Sequence, residues 1–136
     1  MGQRPPELGF FRRFIHYWLP VLVYLTVIFS LSAQPNLRPP VNFRNSDKVY
    51  HLLEYFGLTV LLARAFRAGL SARPALLAAV GSWLLAALVA ASDEVFQRSV
   101  PGRQSSVFDW AADTLGAALA TGLILWLTRE RRRVAR

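Results

Sequence analysis

S-D-E-V-F-Q-R-S-V-P-G-R-Q-S-S-V-F-D-W-A-A-D-T-L-G, residues Ser92 to Gly116, sets four carboxylates and two arginines between two strongly apolar segments. If those segments cross a bilayer, charge is expensive within and beside them, so this concentration marks a place where something polar is held. Pro101-Gly102 breaks the chain in the middle of the stretch and makes two helices of what precedes and follows.

Composition supports a membrane setting. More than half of the 136 residues are hydrophobic, too many for an ordinary soluble domain of this length, and four apolar segments account for the excess. The chain has no cysteine, which excludes disulfides, thiolate nucleophiles and Cys-ligated metal centres. A net charge of +8 could suggest nucleic acid, but the arginines cluster at the ends of apolar segments, as topogenic and headgroup-binding residues do. No nucleic-acid partner is expected.

Four spans follow from the apolar runs: 14–33, 49–67, 75–91 and 107–128. About 20 residues at roughly 1.5 Å per residue cover the hydrocarbon core. The first run is preceded by a basic tail to Arg13 that reads as irregular, and it opens with the interfacial residues His16, Tyr17 and Trp18. Its basic head and small-residue end at Ser32-Ala33 also fit a signal peptide, but its length and the three segments after it favour an uncleaved span. Pro35, Pro39 and Pro40 make the next segment a loop, and Ser46-Asp47 stands where a helix cap would open the second span. The third span is rich in alanine; in the fourth, Gly116 with Ala120 and Ala118 with Gly122 offer small faces for close helix packing, within one chain or between copies in a homo-oligomer. The expected fold is all-α: a four-helix transmembrane bundle forming one domain over residues 1–136.

Lysine and arginine are divided unequally between the two ends of such a bundle. The N-terminal tail, the connection after span two and the C-terminal tail carry eleven; the other two connections with their helix ends carry five. By the positive-inside rule both termini are cytoplasmic. Asp47, Glu54, Asp93, Glu94, Asp109 and Asp113 all fall toward the opposite end, so a site built from them opens on the outer leaflet.

Some of these residues have plain structural uses. Asp47 can cap span two, and Ser106-x-x-Asp109 is a capping-box pattern before span four. Capping does not explain His51, Glu54 or Asp113, which lie deeper. Asp47, His51 and Tyr55 share one helical face with Glu54 beside them; Asp109, Asp113 and Gly116 form a stripe on span four; Asp93, Glu94 and Gln97 end span three. Either these groups are a solvated fringe around a wet loop, or they line a polar cavity between spans two, three and four, with Lys48, Arg98 and Arg103 at its rim as anion ligands. Asp109 and Asp113, one turn apart, repel unless a cation neutralises them.

Three ordered motifs carry a family resemblance: D-K-V-Y-H-L-L-E-Y-F-G-L at Asp47 to Leu58, D-E-V-F-Q at Asp93 to Gln97, and P-G-R-Q-S-S-V-F-D-W-A-A-D-T-L-G at Pro101 to Gly116. Together they resemble the VanZ-like family across all four spans. Asp113 stands where that family usually carries asparagine, and Ala120 where a second glycine is common. The resemblance implies a multi-pass protein of a bacterial cell membrane, in a family associated through its namesake with teicoplanin resistance and proposed to act on headgroups of membrane lipids or lipid-linked cell-wall precursors.

Under that resemblance, His51 is expected to be base or nucleophile, Asp93 and Glu94 acid, orienter or metal ligands, and Asp109 a further catalytic carboxylate. Asp47, Lys48, Glu54, Tyr55, Gln97, Arg103 and Asp113 are expected to contact the substrate, with Arg103 on a phosphate. No cofactor is specified by the motifs; His51-x-x-Glu54 with Asp93 or Glu94 offers a set for a divalent metal. A binder that shields a precursor without chemistry is an alternative that needs no titrating histidine. A small transporter is a second, weakened by the scarcity of polar groups beyond Ser82 and Thr121 in the opposite halves of spans three and four.

The charge asymmetry has a direct test. An alkaline phosphatase reporter fused after Arg136 should be inactive and one inserted near Asn42 active; the reverse pattern would put the acidic end in the cytoplasm.

Overall fold

A computed structural model describes residues 9–35, 40–41, 43–69, 74–103 and 105–134. Arg4, Pro5, Pro6, Glu7, Pro39, Asn42, Arg73 and Arg136 lie outside them. The described residues form four helices, α1 (Phe10–Ser32), α2 (Ser46–Gly69), α3 (Ala75–Gln97) and α4 (Val107–Val134). Each is long and apolar enough to cross a membrane, so the chain is an all-α, multi-pass membrane bundle.

The helices overrun the apolar runs that announce them. Arg12 and Arg13, expected in an irregular tail, belong to α1, and α4 continues through Arg129, Arg131, Arg132 and Arg133. Hydropathy marks where hydrocarbon begins and ends, whereas the helical hydrogen-bond ladder continues as long as the residues favour it, and arginine is a good helix former. With 28 residues, α4 is about 42 Å long, so its last turns extend past a hydrocarbon core of about 30 Å.

Packing differs from that of a soluble bundle. Many large apolar side chains face outward, among them Leu84, Leu88, Val95, Leu119 and Trp126, while the interior combines Val21, Ile28, Tyr55, Leu58 and Leu62 with the alanines Ala65, Ala78, Ala79, Ala86, Ala90, Ala117 and Ala120. Lipid is as apolar as leucine, so nothing drives large side chains inward; small ones let the helix backbones come close. The closest approach is between α2 and α4, where Gly116 lies against the Leu52 backbone so tightly that a Cβ would overlap the Leu52 carbonyl. The Ala118/Gly122 face, read as a packing surface, instead points out of the bundle, and nothing lies within 4 Å of a Cβ built on Gly122. Residues two apart on a helix point in very different directions, so only the Gly116/Ala120 stripe can meet α2.

Two hydrogen-bonded contacts hold α1 against α2. Tyr24 donates from its hydroxyl to the Glu54 carbonyl at 3.0 Å, over Gly57, where a Cβ would stand 2.5 Å from the hydroxyl. Farther along, Pro20 sits inside α1 and has no amide to give the His16 carbonyl. Arg64 of α2 supplies the missing donor, reaching that carbonyl at 3.1 Å and the His16 Nε2 at 2.8 Å, with its guanidinium 5.1 Å from the Tyr17 ring centroid. Freed backbone carbonyls within a membrane helix need such a partner, which makes this otherwise exposed arginine a structural residue.

The contrast between the two small stripes predicts opposite results. Gly116→Ala should cost at least about 1–3 kcal/mol, because α2 and α4 must separate to admit a methyl group. Gly122→Ala should stay within about 0.5 kcal/mol of the parent. Thermal unfolding in detergent distinguishes them, and equal tolerance would contradict the close approach.

Candidate functional site

The close contact at Gly116 brings the polar stripes of α2 and α4 face to face. Lys48 reaches Asp109 at 2.6 Å and Asp47 at 3.0 Å, and His51 Nδ1 lies 3.0 Å from Asp113 Oδ1. Each carboxylate of the α4 stripe therefore has its own basic partner on α2. That arrangement relieves the repulsion expected between groups one turn apart. Asp113 is fully enclosed and Asp109 nearly so, whereas Asp47 is exposed at the helix start. Tyr55, on the same face of α2, is completely buried with its hydroxyl unpartnered.

Ser106 does cap α4, accepting the Phe108 amide on its hydroxyl at 3.1 Å. The reciprocal half of the capping box is put to another use: Asp109 takes Lys48, and the Ser106 amide donates to Glu94 Oε2 at 2.9 Å. The start of α4 is thus tied to the end of α3. Asp93 points elsewhere, toward α1. Its Oδ2 accepts from Gln97 Nε2 at 2.9 Å, and the same amide group reaches Ser32 Oγ at 3.3 Å. Asp93 and Gln97 are therefore buried in an α1–α3 network behind the cavity.

Between α3 and α4 the chain reverses at Pro101-Gly102. The Arg103 amide donates to the Val100 carbonyl at 3.2 Å, and Gly102 has φ 80°, the left-handed conformation that glycine adopts without a Cβ penalty at the third position of a type II turn. This turn brings Arg103 back over the bundle, with its Nε buried and unpartnered. Arg98 does not join it. It donates to Ser105 Oγ at 3.0 Å and lines a separate cleft of about 230 Å³ with Glu94, Ser106 and Trp110, so it braces the loop on the far side of Glu94.

The larger cavity, about 540 Å³, lies between α1 and α2. Asp47, His51, Glu54 and Arg103 form its polar side; Tyr24, Val27, Leu31 and Leu53 form the rest, with Ser32, Pro40 and Tyr50 at its edge. The cavity expected among spans two, three and four is thus displaced: the residues that line it come from α1, α2 and the connections at Pro40 and Arg103. Tyr24 and Ser32 of α1 did not register as site residues in the sequence. The signal for Ser32 was a hydroxyl in an apolar run, which reads equally as a small residue at a helix end.

Among the described residues, the metal-binding types that converge are His51, Glu94 and Asp113, with one ligand atom from each lying within 4.8 Å of the others. Glu54, offered by the sequence as a partner of His51, faces the large cavity instead, and Asp93 is taken by Gln97. Of the sequence-selected residues, the cluster brings together two groups, Lys48 with Asp109 and His51 with Glu94 and Asp113. Arg103, Glu54 and Asp47 face its cavity side.

A family model described as VanZ/LLP1 matches residues 8–128, almost the whole chain. No curated protein and no solved structure matches it.

The His51–Asp113 contact predicts unequal effects of its two halves on stability in metal-free detergent buffer. Asp113→Asn keeps an oxygen to accept from His51 and should lose no more than about 1 kcal/mol. His51→Ala leaves a fully enclosed carboxylate without its partner and should lose on the order of 2 kcal/mol or more. Thermal unfolding of both variants checks the order, and a smaller loss in His51→Ala would contradict it.

Proposed function

The chain belongs to the VanZ/LLP1 family, and on that premise we propose that it binds a phosphate-bearing membrane lipid or lipid-linked cell-wall precursor and acts on its headgroup. One observation carries the reading: a single cavity joins His51, Glu54 and Arg103 to Val27, Leu31 and Leu53, three apolar residues that are themselves open to the bundle surface. Such a space suits an amphiphile entering sideways, with acyl chains against the apolar mouth and the headgroup inside. Its volume of about 540 Å³ lies within the usual range for small-molecule sites of roughly 300–1,000 Å³.

Each polar residue then has a role that its surroundings support. Arg103 has a buried guanidinium nitrogen without a partner, and a phosphate oxygen would satisfy both its charge and its hydrogen bond. His51 has Nδ1 engaged by Asp113, so the ring is held and Nε2 is the nitrogen left to exchange a proton with a bound headgroup. Lys48 and Asp109 lock α2 to α4 beside it and keep the imidazole in place. Asp93 and Gln97, engaged with Ser32, support the far wall and are not first choices for chemistry. With the orientation expected from the arginine asymmetry, the headgroup end faces the outer leaflet of a bacterial cell membrane.

Lipids that remain bound through detergent purification provide the test, read by mass spectrometry alongside the lipids and wall precursors of the producing cells. The parent should retain a phosphate-bearing lipid, and Arg103→Ala should retain about tenfold less or lower still, since a charge-assisted hydrogen bond is worth roughly 1.5–3 kcal/mol. His51→Gln should bind as the parent does yet fail to convert the lipid in cells, because glutamine hydrogen-bonds without transferring protons. Equal retention by parent and Arg103→Ala would sink the headgroup reading. A fully active His51→Gln would favour shielding without chemistry.

A further inference from the structure

We propose that His51, Glu94 and Asp113 bind one divalent first-row transition ion, Zn2+ or Mn2+, with one ligand coming from each of α2, α3 and α4. The proposal goes beyond headgroup binding and does not depend on it.

Geometry is the first support. One ligand atom from each residue lies within 4.8 Å of the other two. Ligand atoms around a tetrahedral ion, at roughly 2.0–2.1 Å from it, stand about 3.4 Å apart, so the three side chains need draw in by about an ångström. Unsatisfied lone pairs are the second. Asp113 Oδ2 and Glu94 Oε1 are both buried with no hydrogen-bond partner, in residues that are 0% and 6% exposed. Buried polar atoms nearly always have a partner, and an orphaned oxygen on each of two carboxylates whose residues converge with an imidazole wants a cation.

The second oxygen of Glu94 is already engaged, as a ligand-orienting contact is at a metal centre. Glu94 Oε2 accepts the Ser106 amide at 2.9 Å, and Asp113 Oδ1 lies 3.0 Å from His51 Nδ1. Lys48, the nearby ammonium, is committed to Asp109 and Asp47 and does not reach the orphaned oxygens. The ion would replace the His51–Asp113 contact with a bond to each residue.

The donor set narrows the ion. One imidazole and two carboxylates suit Zn2+ or Mn2+; Ca2+ takes six to eight oxygen ligands, more than this site can offer, and no thiolate is present to favour softer ions. Three protein ligands leave a coordination position open, where a water or an oxygen of a bound molecule would be polarised. Access is available from two sides, since His51 lines the 540 Å³ cavity and Glu94 the 230 Å³ cleft under the α3–α4 loop.

The test uses the full chain in detergent, tag-free and stripped with chelator, titrated calorimetrically with Zn2+ and separately with Mn2+, followed by metal analysis after desalting. The expected result is one ion per chain, a rise in thermal stability on binding, and at least about tenfold weaker affinity in Glu94→Gln and in Asp113→Asn. His16→Ala removes the other histidine and should leave the affinity unchanged. Monodisperse elution and an unchanged helical spectrum qualify each variant; if Asp113→Asn does not fold, Glu94→Gln decides. Absence of saturable binding of either ion by the folded parent overturns the proposal, and so does unchanged affinity in the qualified carboxylate variants.

Discussion

The approach of Gly116 to the Leu52 backbone governs the polar half of this bundle. Leu52 follows His51, and Gly116 lies one turn beyond Asp113, so the distance between the two backbones there sets whether the side chains one turn away can touch. With no Cβ at 116 they do: Lys48 meets Asp109, and His51 meets Asp113. A larger residue would push the helices apart and leave buried carboxylates without partners, in surroundings where water cannot compensate. Backbone packing and site electrostatics are thus one constraint.

Polar groups inside the bundle fall into three kinds. Some are satisfied by their own helix, as Thr59, Ser82 and Thr121 are through carbonyls four residues earlier, and these contribute no ligand-binding capacity. Others tie helices together: Arg64 on the His16 carbonyl, Gln97 on Ser32, and the Ser106 amide on Glu94. The third kind is left over. Tyr55, Asp93, Glu94, Arg103, Asp113 and Thr114 each keep a buried side-chain oxygen or nitrogen without a partner, and all six lie in the half of the bundle that holds the α3–α4 connection. Orphaned polar atoms are costly, and their concentration in one place is the strongest physical reason to assign function there.

The α1 helix plays a different part from the other three. It is anchored by Tyr24 on α2 and by Arg64 below it, yet between those anchors and the α2 start it stands away far enough to leave a cavity. The polar cluster on α2 and α4 is therefore covered on one side by a helix whose inner surface is mostly apolar. This juxtaposition of Val27 and Leu31 with His51 and Arg103 is the feature on which the proposal of an amphiphilic ligand rests.

Much of this was legible in the amino-acid order. Four spans could be read because hydropathy is a local property and a bilayer demands about 20 apolar residues whatever surrounds them. The i, i+4 spacing of Asp47, His51 and Tyr55, and of Asp109 and Asp113, placed each set on one face, since helical periodicity needs no knowledge of neighbours. Pro101-Gly102 announced its turn through backbone chemistry alone. Pairing was not legible. Nothing local says that His51 should take Asp113 rather than Glu54, that Asp93 should turn toward Ser32, or that Arg98 should brace the loop while Arg103 enters the cavity. Those choices depend on which helix faces which and how closely, and two small stripes on α4 competed for the contact. Gly116/Ala120 met α2 while Ala118/Gly122 turned outward, a difference of direction around one helix that follows from the packing of the bundle and from no residue by itself.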